Sequence, residues 1–72
     1  MKNFSEHLKF IRKSRNLTQR QVARGIDIAE RVYQKYEGTD TKPSFNVLIA
    51  LADYFDVSLD YLVGRSDNQK RR

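Results

Sequence analysis

Seventy-two residues can form one small domain, and below roughly 70 to 80 residues a single core seldom supplies more than a few kcal/mol, so a partner subunit or economical helix packing is expected. With no cysteine and one histidine, a disulfide framework, a zinc knuckle and a thiol nucleophile are excluded, and no metal or cofactor is expected. The net charge of +5 is unevenly spread: residues 1–36 hold nine Lys/Arg against three Asp/Glu, residues 37–65 hold two against five, and the last seven add three against one, so a basic face for a polyanion and a second, acidic face are expected.

The apolar residues recur at spacings of three and four, with no strand-like alternation. Phe4, Leu8 and Ile11 share one face of a first helix that ends near Ser14 to Asn16, with Asn3 and Glu6 forming its cap. Phe10 falls off that face. His7 has no Ser, Cys or Asp at catalytic spacing and reads as a surface residue. Thr18 and Gln21 then form a capping box, with Leu17 and Val22 as a hydrophobic staple, and open the second helix. A third helix follows Ile28 and stops at Gly38, after which residues 39–42 are loop. Ser44 caps a fourth helix lined by Leu48, Leu51, Ala52 and Phe55. Ser58 caps a fifth, with Val57 and Leu62 as its staple, Asp60 in its first turn and Gly64 closing it.

The expected fold is therefore all-α, with five short helices in one domain over residues 1–65 and a basic, disordered tail over residues 66–72. The connection between the second and third helices is the shortest. Two short helices joined by so few residues make a helix-turn-helix, whose second helix projects far enough to enter a major groove. No apolar run approaches the length of about 18 residues that a membrane span needs, and the N-terminus has no continuous apolar stretch of signal-peptide length, so a cytoplasmic, nucleoid-associated protein without membrane contact is expected.

The stretches LKFIRKSRNLTQRQVA, YEG and PSFNVLIALADYFDVSLDYLVG resemble, in that order, the helix-turn-helix domains of the Cro and phage-repressor family, also called the xenobiotic-response-element family. The resemblance runs from about Phe4 to Gly64 and implies a lambda-repressor-like five-helix bundle that binds double-stranded DNA, commonly as a homodimer. It also implies residue roles. Gln19 reaches toward DNA beside the recognition helix, while Ala23 lets the second and third helices approach closely. Glu30, Arg31, Val32, Gln34 and Lys35 occupy the outward, base-reading positions of the recognition helix. Thr18, Thr41, Lys42 and Asn46 match backbone-contacting positions, and Arg12 with Glu37 matches a pair tying the first helix to the third.

Within that set, Arg31 suits guanine, because a guanidinium donates two bonds to O6 and N7, and Val32 suits a thymine methyl. Gln34 and Lys35 suit phosphates and sugars. Glu30 has two readings: a cap or intrahelical partner, or an acceptor for a cytosine amino group. The acidic C-terminal half, with Leu59, Tyr61 and Val63 as exposed candidates, suits self-association.

Three departures from the family pattern leave the start of the third helix open. Asp27 stands where a turn glycine is usual, Ala29 stands where a Ser or Thr cap is usual, and Tyr33 replaces an Ile or Val. Either Asp27 is a left-handed turn residue, or it caps a helix beginning at Ile28 while Gly25 ends the second helix early. The expected function is a sequence-specific transcriptional regulator, a repressor on a near-palindromic operator. The alternative is a protein-binding module of the same fold, an antitoxin or anti-repressor partner. Neither an enzyme nor a small-molecule site is indicated.

Overall fold

Four of the five helices begin at a side chain that satisfies an otherwise orphaned backbone N–H. The computed structural model describes residues 3–39 and 41–70, and its helices are α1 (Phe4–Ser14), α2 (Gln19–Gly25), α3 (Glu30–Gly38), α4 (Phe45–Phe55) and α5 (Leu59–Leu62). Asn3 Oδ1 accepts from the Glu6 N–H at 2.9 Å, and Ser44 and Ser58 accept from Val47 and Tyr61. At α2 both halves of the capping box form: Gln21 N–H to Thr18 Oγ1 at 3.0 Å and Thr18 N–H to Gln21 Oε1 at 2.8 Å. The exception is α3, which opens after Ala29 with no side-chain cap.

The helix ends share a device that periodicity does not reveal. Just past α1, α2, α4 and α5 the chain turns left-handed at Asn16, Asp27, Asp56 and Gly64, with φ of 56°, 60°, 56° and 84°. Each turn lets two following N–H groups return to the last helical carbonyls, as in a Schellman motif. Past α2, for example, Asp27 donates to the Arg24 carbonyl at 3.2 Å and Ile28 to the Ala23 carbonyl at 2.9 Å. Only one of the four is glycine. Asn and Asp fill the others because their short polar side chains tolerate this region better than most residues.

That geometry decides the register of the helix-turn-helix. Asp27 has positive φ, so it is the turn residue, and the rival arrangement with Asp27 capping a helix from Ile28 does not occur. Gly25 is the last residue of α2 and serves packing: a Cβ there would collide with the Tyr54 ring of α4.

The core is built from Leu8 and Ile11 of α1, Val22 and Ala23 of α2, Tyr33 and Tyr36 of α3, Leu51, Ala52 and Phe55 of α4, and Val57, Tyr61 and Leu62. Helix α3 packs on α1 and α2, while α5 packs on α1 and α4. His7 is not a plain surface residue. It is half-buried, its Nε2 donates to the Tyr61 carbonyl at 2.7 Å, and its ring meets that of Tyr61 edge-on at 5.0 Å, so it joins α1 to α5. The segment after Arg65 folds back as far as it is described: Ser58 N–H donates to the Gln69 carbonyl at 3.0 Å and Gln69 Nε2 to the Tyr61 hydroxyl at 3.3 Å. Residues 71 and 72 of the expected basic tail lie outside the described residues. Among the described residues no strand is present, and no helix is long and apolar enough to cross a membrane.

Candidate nucleic-acid interface

Helix α3 sorts its residues by face. Tyr33, Tyr36 and Glu37 point into the protein, while Arg31, Gln34 and Lys35 are exposed and, at spacings of three and four, share one outer face. Val32 is half-buried and packs against the core, so little more than its edge is offered to a partner. Beyond the helix, Thr41, Lys42 and Asn46 are also exposed. The Ser5 hydroxyl of α1 donates to the Thr39 carbonyl and anchors the start of this loop, and the Thr39 hydroxyl accepts from the Thr41 N–H at 3.2 Å. Thr18 is exposed, with its hydroxyl oxygen engaged in capping α2.

What holds α3 in place is a buried charged network. Arg12 of α1 meets Glu37 in a bidentate pair, Nε to Oε2 at 2.7 Å and Nη2 to Oε1 at 3.0 Å, and its Nη1 donates to the Leu17 carbonyl at 2.8 Å. Gln19 of α2 donates to the same Glu37 Oε1 at 3.1 Å. Three helices therefore converge on one carboxylate. Burial by itself would push the Glu37 carboxyl up, but the Arg12 guanidinium, the nearby Tyr33 hydroxyl and the Gln19 amide together outweigh it and hold the group below its ordinary range. The hydrogen bond to Glu37 likewise raises Arg12, against the opposing pull of burial. Gln19, expected to extend toward DNA, is half-buried and donates one amide N–H to this interior carboxylate, which leaves its second N–H and its carbonyl oxygen for other partners.

Tyr33 completes this interior at a cost. Its hydroxyl feels Glu37 and Arg12 but makes no hydrogen bond of acceptable geometry, and burial first, then the neighbouring carboxylate, push it well above the ordinary phenol range. An Ile or Val here would leave no such group.

A second network lies on the surface. Glu30 Oε1 accepts from Arg20 Nε of α2 at 3.2 Å and Glu30 Oε2 accepts from Gln34 Nε2 at 3.3 Å. Glu30 thus has an intrahelical partner in Gln34, and its ion pair is with Arg20 rather than with its neighbour Arg31. Nothing in helical spacing singles out Arg20, because its partner is ten residues away across the turn.

The expected self-association residues are placed less evenly. Tyr61 is buried at 7% exposure within its own chain, where it packs on His7, so it is core rather than an exposed contact. Leu59 and Val63 are half-buried. Among the described residues, the exposed large apolar side chains are instead Phe10 of α1 and Phe45 and Ile49 of α4; the last two are one helical turn apart. In that register α4 turns them outward while Leu51, Ala52 and Phe55 enter the core.

A helix-turn-helix family profile matches residues 8–62. The chain belongs to this family, in its Cro and phage-repressor branch. It is 40% identical over 67 residues, 93% of the chain, to the uncharacterized HTH-type transcriptional regulator YqaE of Bacillus subtilis, of which it covers 58%. It is 40% identical over 60 residues, 83% of the chain, to the cryptic phage CTXphi transcriptional repressor RstR of Vibrio cholerae, of which it covers 54%. Among solved structures, a transcriptional regulator from Listeria innocua aligns with a TM-score of 0.79 at 35% identity, over 92% of this chain and 62% of that one. The P22 c2 repressor, solved with a synthetic operator, aligns with a TM-score of 0.82 at 21% identity, over 92% of this chain and all of that one, which speaks for the fold. The chain spans a little over half the length of the curated relatives it matches.

Proposed function

We propose that this chain is a sequence-specific DNA-binding domain of a transcriptional regulator, acting as a repressor, with α3 in the major groove. The observation that carries this reading is the outer face of α3. There Arg31, Gln34 and Lys35 stand exposed on a helix that a buried ion pair and a short turn lock to the body. Arg31 suits direct reading of guanine, Gln34 and Lys35 suit holding, and Thr41, Lys42 and Asn46 suit phosphate contact. Its similarity to a transcriptional regulator and a phage transcriptional repressor supports the reading. It would work in the cytoplasm on chromosomal or phage DNA, without catalysis.

A two-fold dimer would set two recognition helices about 34 Å apart, one turn of DNA. Its contact is proposed at Leu59 and Val63, extended by the exposed Ile49 of α4. Binding-site selection from random duplexes, followed by titration between about 50 and 200 mM salt, tests the whole reading. Paired half-sites about one helical turn apart and a steep fall in affinity with salt are expected. Selection of no sequence, with retention of a co-purified protein partner, would favour the protein-binding alternative.

A further inference from the structure

Arg20 is the second residue of α2, and its side chain is 69% exposed. Rather than extend into solvent, it crosses to α3 and donates to Glu30 Oε1 at 3.2 Å, while Gln34 holds Glu30 Oε2 from the other side at 3.3 Å. Both oxygens of a carboxylate at the start of the recognition helix are therefore fixed, one from each helix of the pair. As a stability device such an exposed pair is weak. As a way of placing a carboxylate beside a polyanion it is apt, because the guanidinium offsets the negative charge that phosphates would repel.

We propose that Arg20 is a positioning residue for base reading, clamping Glu30 so that its remaining lone pairs accept a hydrogen bond from the N4 amino group of a cytosine. Each carboxylate oxygen can accept about two hydrogen bonds and has one here, so acceptor capacity remains. Of the four bases, guanine and thymine present no major-groove donor, and adenine sets its amino group beside the N7 acceptor, which repels a carboxylate. Cytosine presents the amino donor alone. This inference rests on the proposed placement of α3 in the major groove.

Binding-site selection with the wild-type chain and with Glu30→Ala, Arg20→Ala, Arg20→Lys and the double alanine variant tests it, with melting curves to confirm that each variant folds. The wild type should select cytosine at one position of each half-site. Glu30→Ala and Arg20→Ala should each lower that preference roughly tenfold, a typical weight for one base pair, and leave the other positions alone. The double variant should be no worse than either single one, and Arg20→Lys, which keeps a charged donor, should restore part of the preference. If Arg20→Ala instead weakens binding to every duplex equally with the cytosine preference intact, Arg20 is a phosphate holder and the clamp is wrong. A selected site indifferent to both residues overturns the clamp alone, whereas a wild type that selects no sequence overturns the DNA-reading function with it.

Discussion

The same three residue types, an arginine, a glutamate and a glutamine, are assembled twice around the helix-turn-helix, with opposite consequences. In the inner set Arg12 and Gln19 converge on Glu37, and the two charged side chains are 10% and 1% exposed. In the outer set Arg20 and Gln34 converge on Glu30, and the corresponding exposures are 69% and 38%. Water competes for the outer set and screens it, so its bonds orient a side chain more than they stabilise a fold. The charged pair of the inner set is largely shielded from water, so each charge there depends on the other. Identical chemistry thus serves architecture at depth and, under the proposed clamp, recognition at the surface.

The sharpest way to break this contrast is to remove one carboxylate from each set. Glu37→Ala should lose about 3–5 kcal/mol because it strands the Arg12 guanidinium in the interior, a large share of what so small a domain possesses. Glu30→Ala should shift the urea midpoint by an amount worth no more than about 0.5 kcal/mol. Equal losses would mean that depth is not what separates the two sets.

Acid should expose the inner set next. The Glu37 carboxyl is held below its ordinary value of 4.5 in the folded protein, so the unfolded chain takes up the proton first as pH falls. Its stabilising contribution is complete above that value and is lost as pH drops through the depressed folded pKa. Melting temperatures followed from pH 6 downward, with Glu37→Gln as the control, should show a decline that the control lacks.

Two smaller effects probe the residues that adjoin the networks. Ala29 has the extended backbone of an N-cap, with φ −66° and ψ 141°, but no side chain to cap α3; Ala29→Ser should raise stability by about 1 kcal/mol in thermal unfolding. Tyr33→Phe removes a buried hydroxyl without a partner and should leave stability unchanged or raise it by up to about 1 kcal/mol. A clear loss in that variant would show that the hydroxyl does bond to the inner network in solution.

Much of this architecture is legible in the chain. Asn3, Thr18, Ser44 and Ser58 mark four helix starts, because a cap and the N–H it serves lie within three residues of each other. The left-handed ends at Asn16 and Asp56 are harder to read, since Asn and Asp serve equally well in caps, turns and solvated surfaces. Gly25 reads as a helix stop only in the register where Asp27 caps α3, yet its reason is the ring of Tyr54, twenty-nine positions away. Tyr61 reads as an exposed contact, yet it is covered by His7 of the first helix. At the candidate interface, the outward positions of α3 and the Glu30–Gln34 pair follow from helical spacing, whereas the pairing of Gln19 with Glu37 and of Glu30 with Arg20 does not.

The sequence alone determined five helices, where four of them start, and which face of the third turns outward, because capping and periodicity act over a few residues. Only the tertiary structure decided that Asp27 is a turn residue, that Gln19 turns inward to Glu37, and that Arg20 crosses to Glu30. These outcomes depend on distances between separate helices. Such distances are set by how the core packs, and no spacing along the chain encodes them.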